Sequence, residues 1–126
     1  MSASPARLVV MLYDRLMLDL GRAEAAQVAG DWGVARENLL HAQEIIGELS
    51  GSLDLDAWDG AEQLLGIYNY AGTALMNANI HRNVETTREC IALLEPLRQT
   101  WHAAAAQPSA QDAGPLAAGA QWAAQA

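Results

Sequence analysis

The chain has 126 residues, a formal net charge of −8 and 52% hydrophobic residues. A single domain of this length buries roughly two-thirds of its unfolded surface, which is enough for one hydrophobic core. The acidity argues against nucleic acid and anionic membranes as partners, because both need clustered basic side chains. The only cysteine, Cys90, excludes an internal disulfide.

The start of the chain shows no secretory signal pattern, because the apolar run at Leu8–Tyr13 ends at Asp14. This run is also far shorter than the ~20 residues that span a bilayer. We therefore expect a cytoplasmic protein without membrane insertion.

The first two predicted helices are separated by Gly30 and Asp31. The first runs from about Pro5 to Ala29, because Ser4 can cap it and Pro5 suits the first helical position. The second runs from about Trp32 to Leu53, with Asp31 as its N-cap. Apolar steps of three, four and seven residues predict the core positions. These positions are Val9, Leu12, Tyr13, Leu16 and Leu20, then Ala35, Leu39, Ala42, Ile46, Leu49 and Leu53.

Two further helices follow a loop that contains Asp54, Asp56 and Asp59, residues expected to cap helices. The third helix runs from about Gly60 to Ile80, and the fourth from about Val84 to Ala105 after the N-cap Asn83. Pro96 predicts a kink or an early stop in the fourth helix. The expected core positions are Leu64, Tyr68, Ala71 and Leu75, then Thr87, Cys90, Leu94, Leu97 and Trp101.

Four helices with short connections predict an all-α fold, an antiparallel four-helix bundle over residues 1–106. Residues 107–126 are rich in Ala, Gly, Gln and Pro. We expect them to form a flexible tail, or at most a short fifth helix around Trp122.

The residue patterns of common enzymes and metal sites are absent from the sequence. His41 and Glu44 reverse the Glu-x-x-His order of di-iron bundles, and the acidic loop lacks the glycine and glutamate of a calcium loop. Cys90 lies on a core stripe. The sequence therefore predicts no enzyme activity, no catalytic residues, no metal and no cofactor.

Helix one has apolar residues on a second side, beyond its core stripe. Met11 and Leu18 are seven residues apart and lie opposite the core positions, beside Arg15 and Arg22. A four-helix core does not need them. Exposed apolar patches of several hundred Å² commonly mark interaction sites.

Helix three shows the same excess at Leu65, Met76 and Ile80, with Gly72 among them. Glycine would let another backbone come close, and methionine adapts to varied partners. We predict a groove built from helices one and three that receives an apolar helix. Its predicted contact residues are Met11, Leu18, Leu65, Met76 and Ile80. Rotated helices with a wider core would explain the same pattern.

Five segments, in the same order along the chain, resemble the FliS family of flagellar export chaperones. They are ASPARLVVMLYD at 3–14, GDW at 30–32, AQEIIGELSGSLD at 42–54, LLGIYNYAGTALMNAN at 64–79 and LLEPLRQTW at 93–101. The first segment is the most specific, and the order and spacing of all five make chance similarity improbable.

The resemblance implies a cytosolic helical bundle that binds the C-terminal segment of flagellin and prevents its premature polymerisation. It also implies delivery of flagellin to the flagellar type III export apparatus, with the export gate as a further partner. The expected oligomeric state is a monomer or a weak dimer. Three alternatives remain open at this point: a helical homodimeric interaction module, a metal-containing bundle enzyme, and a chaperone for a different secreted helical client.

Overall fold

The computed structural model describes residues 4–107, which form four α-helices and no β-strand. The predicted all-α fold is confirmed, and each helix end lies within two residues of its predicted position. The predicted tail lies outside the described residues from 108 onward. The helices are α1 (Pro5–Ala29), α2 (Trp32–Gly51), α3 (Ala61–Ile80) and α4 (Val84–Ala105).

Three of the helices begin at the predicted side-chain caps. The Ser4 hydroxyl accepts from the backbone of Arg7, and the Asp31 and Asn83 side chains accept from the first turns of α2 and α4. The prediction for the acidic loop is wrong for α3, which has no side-chain cap. Asp54 instead accepts from the backbone N–H of Asp56 at 3.0 Å and closes a local turn.

The helices form a closed ring in which α1 packs against α2 and α4, and α3 packs against the same two neighbours. Helices α1 and α3 therefore lie diagonally across the bundle. Two short turns, Gly30–Asp31 and His81–Asn83, lie at one end of it.

These two turns have the same hydrogen-bond pattern around a left-handed residue. After α1 that residue is Gly30, with φ 75°, and Asp31 N–H donates to the Ala26 carbonyl at 2.8 Å. After α3 it is Arg82, with φ 52°, and Asn83 N–H donates to the Ala78 carbonyl at 3.0 Å. Glycine adopts this conformation without strain, whereas a side chain at that position costs about 1–2 kcal/mol.

The core contains nearly all the predicted stripe positions. The exceptions are Leu12, Leu53 and Leu97, which are only partly buried at its edge. Val10 and Ile45 are buried as well, although neither lies on a predicted stripe. Because each helix packs against two neighbours, its buried face is wider than a single stripe.

Pro96 neither ends α4 nor shortens it, so the expectation of an early stop is wrong. The helix continues for nine residues beyond Pro96, to Ala105. Pro96 is exposed, whereas Leu94 and Trp101 on the other side of the helix are fully buried. Burial of these side chains holds α4 together across a proline, which costs an isolated helix about 3 kcal/mol.

The Gln27 side chain joins three helices inside the bundle. Its Nε2 donates to the Ala78 carbonyl of α3 at 3.3 Å, and its Oε1 accepts from the Thr87 hydroxyl of α4 at 2.7 Å. Both side chains are buried. Neither would be stable there without its partner, because an unpaired buried polar atom carries a desolvation cost.

We expect Thr87→Val to lower the free energy of unfolding by about 1–3 kcal/mol, because the Gln27 Oε1 atom loses its donor while the side-chain volume is kept. Urea denaturation measures the change. The control is Thr73→Val, at an exposed position of α3. Equal stability of the two variants would show that the hydrogen bond is not important.

Three buried groups keep their protons to unusually high pH. Burial raises the pKa of Tyr13 to about 12, although hydrogen bonds with Tyr68 and Trp101 partly oppose the effect. Burial, and then the nearby Tyr13, raise the pKa of Tyr68 above its ordinary value. Burial also raises the pKa of the Cys90 thiol to about 11. In the unfolded chain, all three groups release their protons at lower pH.

We expect the free energy of unfolding to fall as the pH rises from about 9 to about 12, because the unfolded chain then loses protons that the folded chain retains. Each such group contributes a slope of about 1.4 kcal/mol per pH unit between its unfolded and folded pKa values. Urea titrations across this range measure it. Tyr68→Phe should reduce the slope more than the control Tyr70→Phe, at an exposed position. Equal slopes would contradict the prediction.

Candidate functional site

Two of the predicted contact residues, Met11 and Leu18, lie on the outer surface of α1. Their side chains are 56% and 45% exposed. On the same helix, Asp14 bonds to α4 and Asp19 bonds to α2. Met11 and Leu18 point between these two directions, away from the core.

Met11 also contributes to an apolar cleft of about 470 Å³ between the start of α1 and the end of α2. Leu8 and Leu12 line it from α1, and Leu49 lines its floor from α2. Leu8 is exposed, although its position was not predicted as a contact. We call this feature the α1–α2 cleft.

The other three predicted contact residues lie on the side of α3 that faces α2. A Cβ atom placed on Gly72 would lie 3.7 Å from the Ile46 side chain of α2, so the side of α3 that contains Gly72 faces α2. Leu65 precedes Gly72 by seven residues and Met76 follows it by four, so both share its side. Leu65 is half-buried, whereas Met76 is 51% exposed.

Ile80 extends this side to the end of α3, where it is 65% exposed and lines a cavity shared with α2. Leu40 of α2 is also exposed, but it lines a different cleft, together with Arg15 and Asp19 of α1. We call Leu65, Gly72, Met76 and Ile80 the α2–α3 face.

The structure therefore brings Leu65, Met76 and Ile80 together but separates them from Met11 and Leu18. The expected groove lined by α1 and α3 alone is not formed, because these helices lie diagonally across the ring. Helix α2 lies between the two groups. The apolar surface flanks α2 on both sides, a result that helix periodicity alone could not show.

The two sides that adjoin α4 are covered by polar pairs instead. Between α1 and α4, Arg98 donates to Asp14 at 3.0 Å, and Arg88 donates to Glu24 at 2.8 Å. Between α3 and α4, the Tyr70 hydroxyl donates a hydrogen bond to the Glu89 carboxylate. Between α1 and α2, residues 4–107 contain one such pair, Asp19 with His41, and the side chain of Met11 remains exposed.

One buried carboxylate lies beside the apolar surface. Asp19 is fully buried and accepts from Arg15 Nε at 3.0 Å, and its other oxygen is hydrogen-bonded to His41 Nδ1 of α2. A buried carboxylate needs such partners to remain stable. In the sequence, His41 was considered only together with Glu44, so its partner Asp19 was missed. Their separation of 22 residues leaves no local signal.

Among residues 4–107, no cluster of three or more His, Cys, Asp or Glu side chains could hold a metal ion. The predicted absence of metal and cofactor stays a prediction. None of the four helices combines the length and apolar character needed to cross a bilayer. The buried Cys90 thiol, with its raised pKa, is a poor nucleophile.

The chain matches the family model described as "Flagellar protein FliS" over residues 1–108. It is 32% identical over 111 residues to the flagellar secretion chaperone FliS of Escherichia coli K12, covering 86% of this chain and 82% of that relative. It is 31% identical over 114 residues to the protein of the same name from Salmonella typhimurium LT2, covering 89% and 84%. The expectation of a non-enzymatic protein is confirmed by these matches. The chain belongs to the FliS family of flagellar secretion chaperones.

Proposed function

We propose that this protein is a cytoplasmic chaperone that binds the C-terminal segment of flagellin. It prevents flagellin from polymerising early and delivers it to the flagellar type III export apparatus. The main support is the set of exposed apolar side chains that flank α2 on an otherwise well-packed bundle. Membership of a family of secretion chaperones supports the same function.

Binding of a disordered segment would follow from ordinary hydrophobic burial. A segment that forms an amphipathic helix in its assembled state exposes apolar side chains while it is monomeric, and these promote self-association. Covering them on a chaperone removes them from water. Ordering the segment costs about 2–5 kcal/mol, which burial of roughly 1,000–3,000 Å² can offset.

The proposed docking surface includes the α1–α2 cleft, the outer face of α1 and the α2–α3 face. Its proposed contact residues are Met11, Leu18, Leu65, Met76 and Ile80. Because the two apolar sides are separated by α2, the client would pass around this helix rather than lie in one straight groove. A segment with two short apolar helices joined by an extended stretch fits this arrangement.

We expect Met11→Glu, and separately Leu18→Glu, to weaken flagellin binding by at least about 1–3 kcal/mol, because each would place a charge in an apolar contact. Isothermal titration with the C-terminal fragment of the same bacterium's flagellin measures the affinity. The matched control is Val28→Glu, at a still more exposed apolar position of α1. Val28 follows Glu24, which contacts α4, by one turn.

Thermal unfolding provides the second measurement on these variants. Their melting temperatures should fall little, because both side chains are exposed. A fall of tens of degrees would place Met11 or Leu18 in the core and would contradict its role as a contact residue for flagellin. Unchanged affinity beside a folded protein would exclude that residue from the contact surface.

Gly72 tests whether the client's backbone approaches α3 closely. We expect Gly72→Ala to raise the free energy of unfolding by about 0.5–1 kcal/mol, because alanine favours the helix and the new methyl group meets only an ordinary contact with Ile46. We also expect it to weaken flagellin binding. If stability rises and affinity is unchanged, no client backbone lies against Gly72.

The function as a whole is tested by co-expression with the flagellin of the same bacterium, followed by size-exclusion chromatography. Co-elution that is lost when the flagellin C-terminus is deleted supports the proposal. Failure to co-elute favours another secreted helical client. Light scattering of the protein alone tests the oligomeric state, since a dimer that persists at nanomolar concentration would favour a self-interface at the same apolar surface.

A further inference from the structure

A cavity of about 280 Å³ lies between the first turns of α2 and the end of α3, beside the two short interhelical turns. Leu39 and Ala78 form part of its buried inner wall. Its rim includes Arg36 and Trp32 of α2, and Ile80 and Arg82 at the end of α3. Through Ile80 the cavity is continuous with the α2–α3 face.

The charge of this cavity is opposite to that of the protein as a whole. Its lining includes two arginines and no carboxylate. By contrast, the α1–α2 cleft includes Glu48 and no basic side chain. A neighbouring cleft between α1 and α2, which Arg36 also lines, has mixed charge because it includes Glu37 and Glu44. A fourth cleft, at the loop before α3, includes Asp59.

The two arginines have no carboxylate partner within the described part of the protein. All seven basic residues of the chain are arginines. Arg15, Arg88 and Arg98 bind carboxylates. Within the part of the chain that the structure describes, the other four arginines form no ion pair. Of these four, Arg36 and Arg82 line this cavity, whereas Arg7 and Arg22 do not. The nearby Asp31 carboxylate is engaged by the backbone N–H of Val34 at 3.3 Å, where it caps α2.

Arg82 is held at the rim in a conformation that favours glycine. It takes the left-handed position of its turn, where the equivalent turn after α1 has Gly30. Its guanidinium carbon lies 5.0 Å from the centre of the Trp32 ring, a cation–π contact that orients the charge. Backbone strain at such a position often accompanies a functional role.

We propose that this cavity binds an aspartate or glutamate side chain of the client segment, next to an apolar client residue that packs on Ile80 and Trp32. The inference rests on the proposed docking of flagellin and adds to it a charged anchor at one end of the α2–α3 face. Two guanidinium groups converging on one carboxylate provide charge-assisted hydrogen bonds and fix the register of the bound segment.

The test measures affinity for the flagellin C-terminal fragment at several NaCl concentrations, using the full-length protein. We expect Arg36→Gln and Arg82→Gly each to weaken binding at low salt by about tenfold, because each removes a charge-assisted bond. The wild-type affinity should fall with added salt more steeply than that of the variants, because salt screens exposed charges. Arg82→Gly is useful because glycine relieves the left-handed strain. A loss of binding in a variant that remains folded would therefore come from the lost side chain.

The matched control is Arg88→Gln, which removes the same charge from an exposed arginine between α1 and α4. It should retain the wild-type affinity and salt dependence. The fragment's acidic residues are then changed one at a time to their amides. One of these changes should weaken binding to the wild-type protein by about tenfold and have no further effect on binding to Arg36→Gln.

The outcomes separate the anchor from the docking proposal. If the wild-type protein binds the fragment and both rim variants bind like the Arg88→Gln control, the anchor is wrong and the docking surface stands. If no acidic residue of the fragment couples to Arg36, the anchor is also wrong. If the wild-type protein does not bind the fragment at all, both proposals are wrong.

Discussion

The hydrogen bond between Tyr13 and Tyr68 is the interaction on which the rest of the structure depends. It joins the two diagonal helices, α1 and α3, with 2.7 Å between hydroxyl oxygens and both side chains fully buried. Trp101 of α4 is also fully buried and hydrogen-bonds to Tyr13. Because buried hydroxyl groups need partners, this contact favours one rotation of α1 and α3 about their axes. That rotation decides which of their apolar residues face outward.

The position of α2 follows from this arrangement and gives the bundle two kinds of surface. Polar pairs such as Arg98 with Asp14 and Tyr70 with Glu89 cover the two sides next to α4. On the two sides next to α2, the side chains of Met11 and Met76 are exposed, and a single polar pair among the described residues, Asp19 with His41, joins α1 to α2. Apolar side chains left in water favour association, so the bundle is asymmetric in a way that suits a segment passing around one helix.

The cavity lined by Arg36 and Arg82 adds positive charge at one end of that apolar surface. In a protein with net charge −8, most of the surface repels acidic peptides over long distances, whereas Arg36 and Arg82 attract them locally. Apolar contacts are not directional and would tolerate a client shifted along the surface. A charge at one end of the α2–α3 face would make such shifts unfavourable, which is a gain in specificity rather than in buried area.

The sequence by itself determined the helices, the caps and the family. Ser4, Asp31 and Asn83 act within three residues of their partners, and the apolar steps that place Tyr13, Leu39 or Leu94 in the core are equally local. These local patterns can be read from the sequence without knowledge of the fold. The excess of apolar residues on the first and third helices was visible in the same way.

Only the tertiary structure decided how these pieces meet. The sequence could not show that α1 and α3 are diagonal, or that Asp19 binds His41. It also could not show that Arg82 stacks on Trp32, since these two residues are 50 positions apart. It predicted a kink or an early stop at Pro96, and the early stop was wrong because propensity alone does not include the burial of Leu94 and Trp101. Contacts between distant residues depend on how helices rotate against two neighbours at once, and that choice is made by the packing of the whole core.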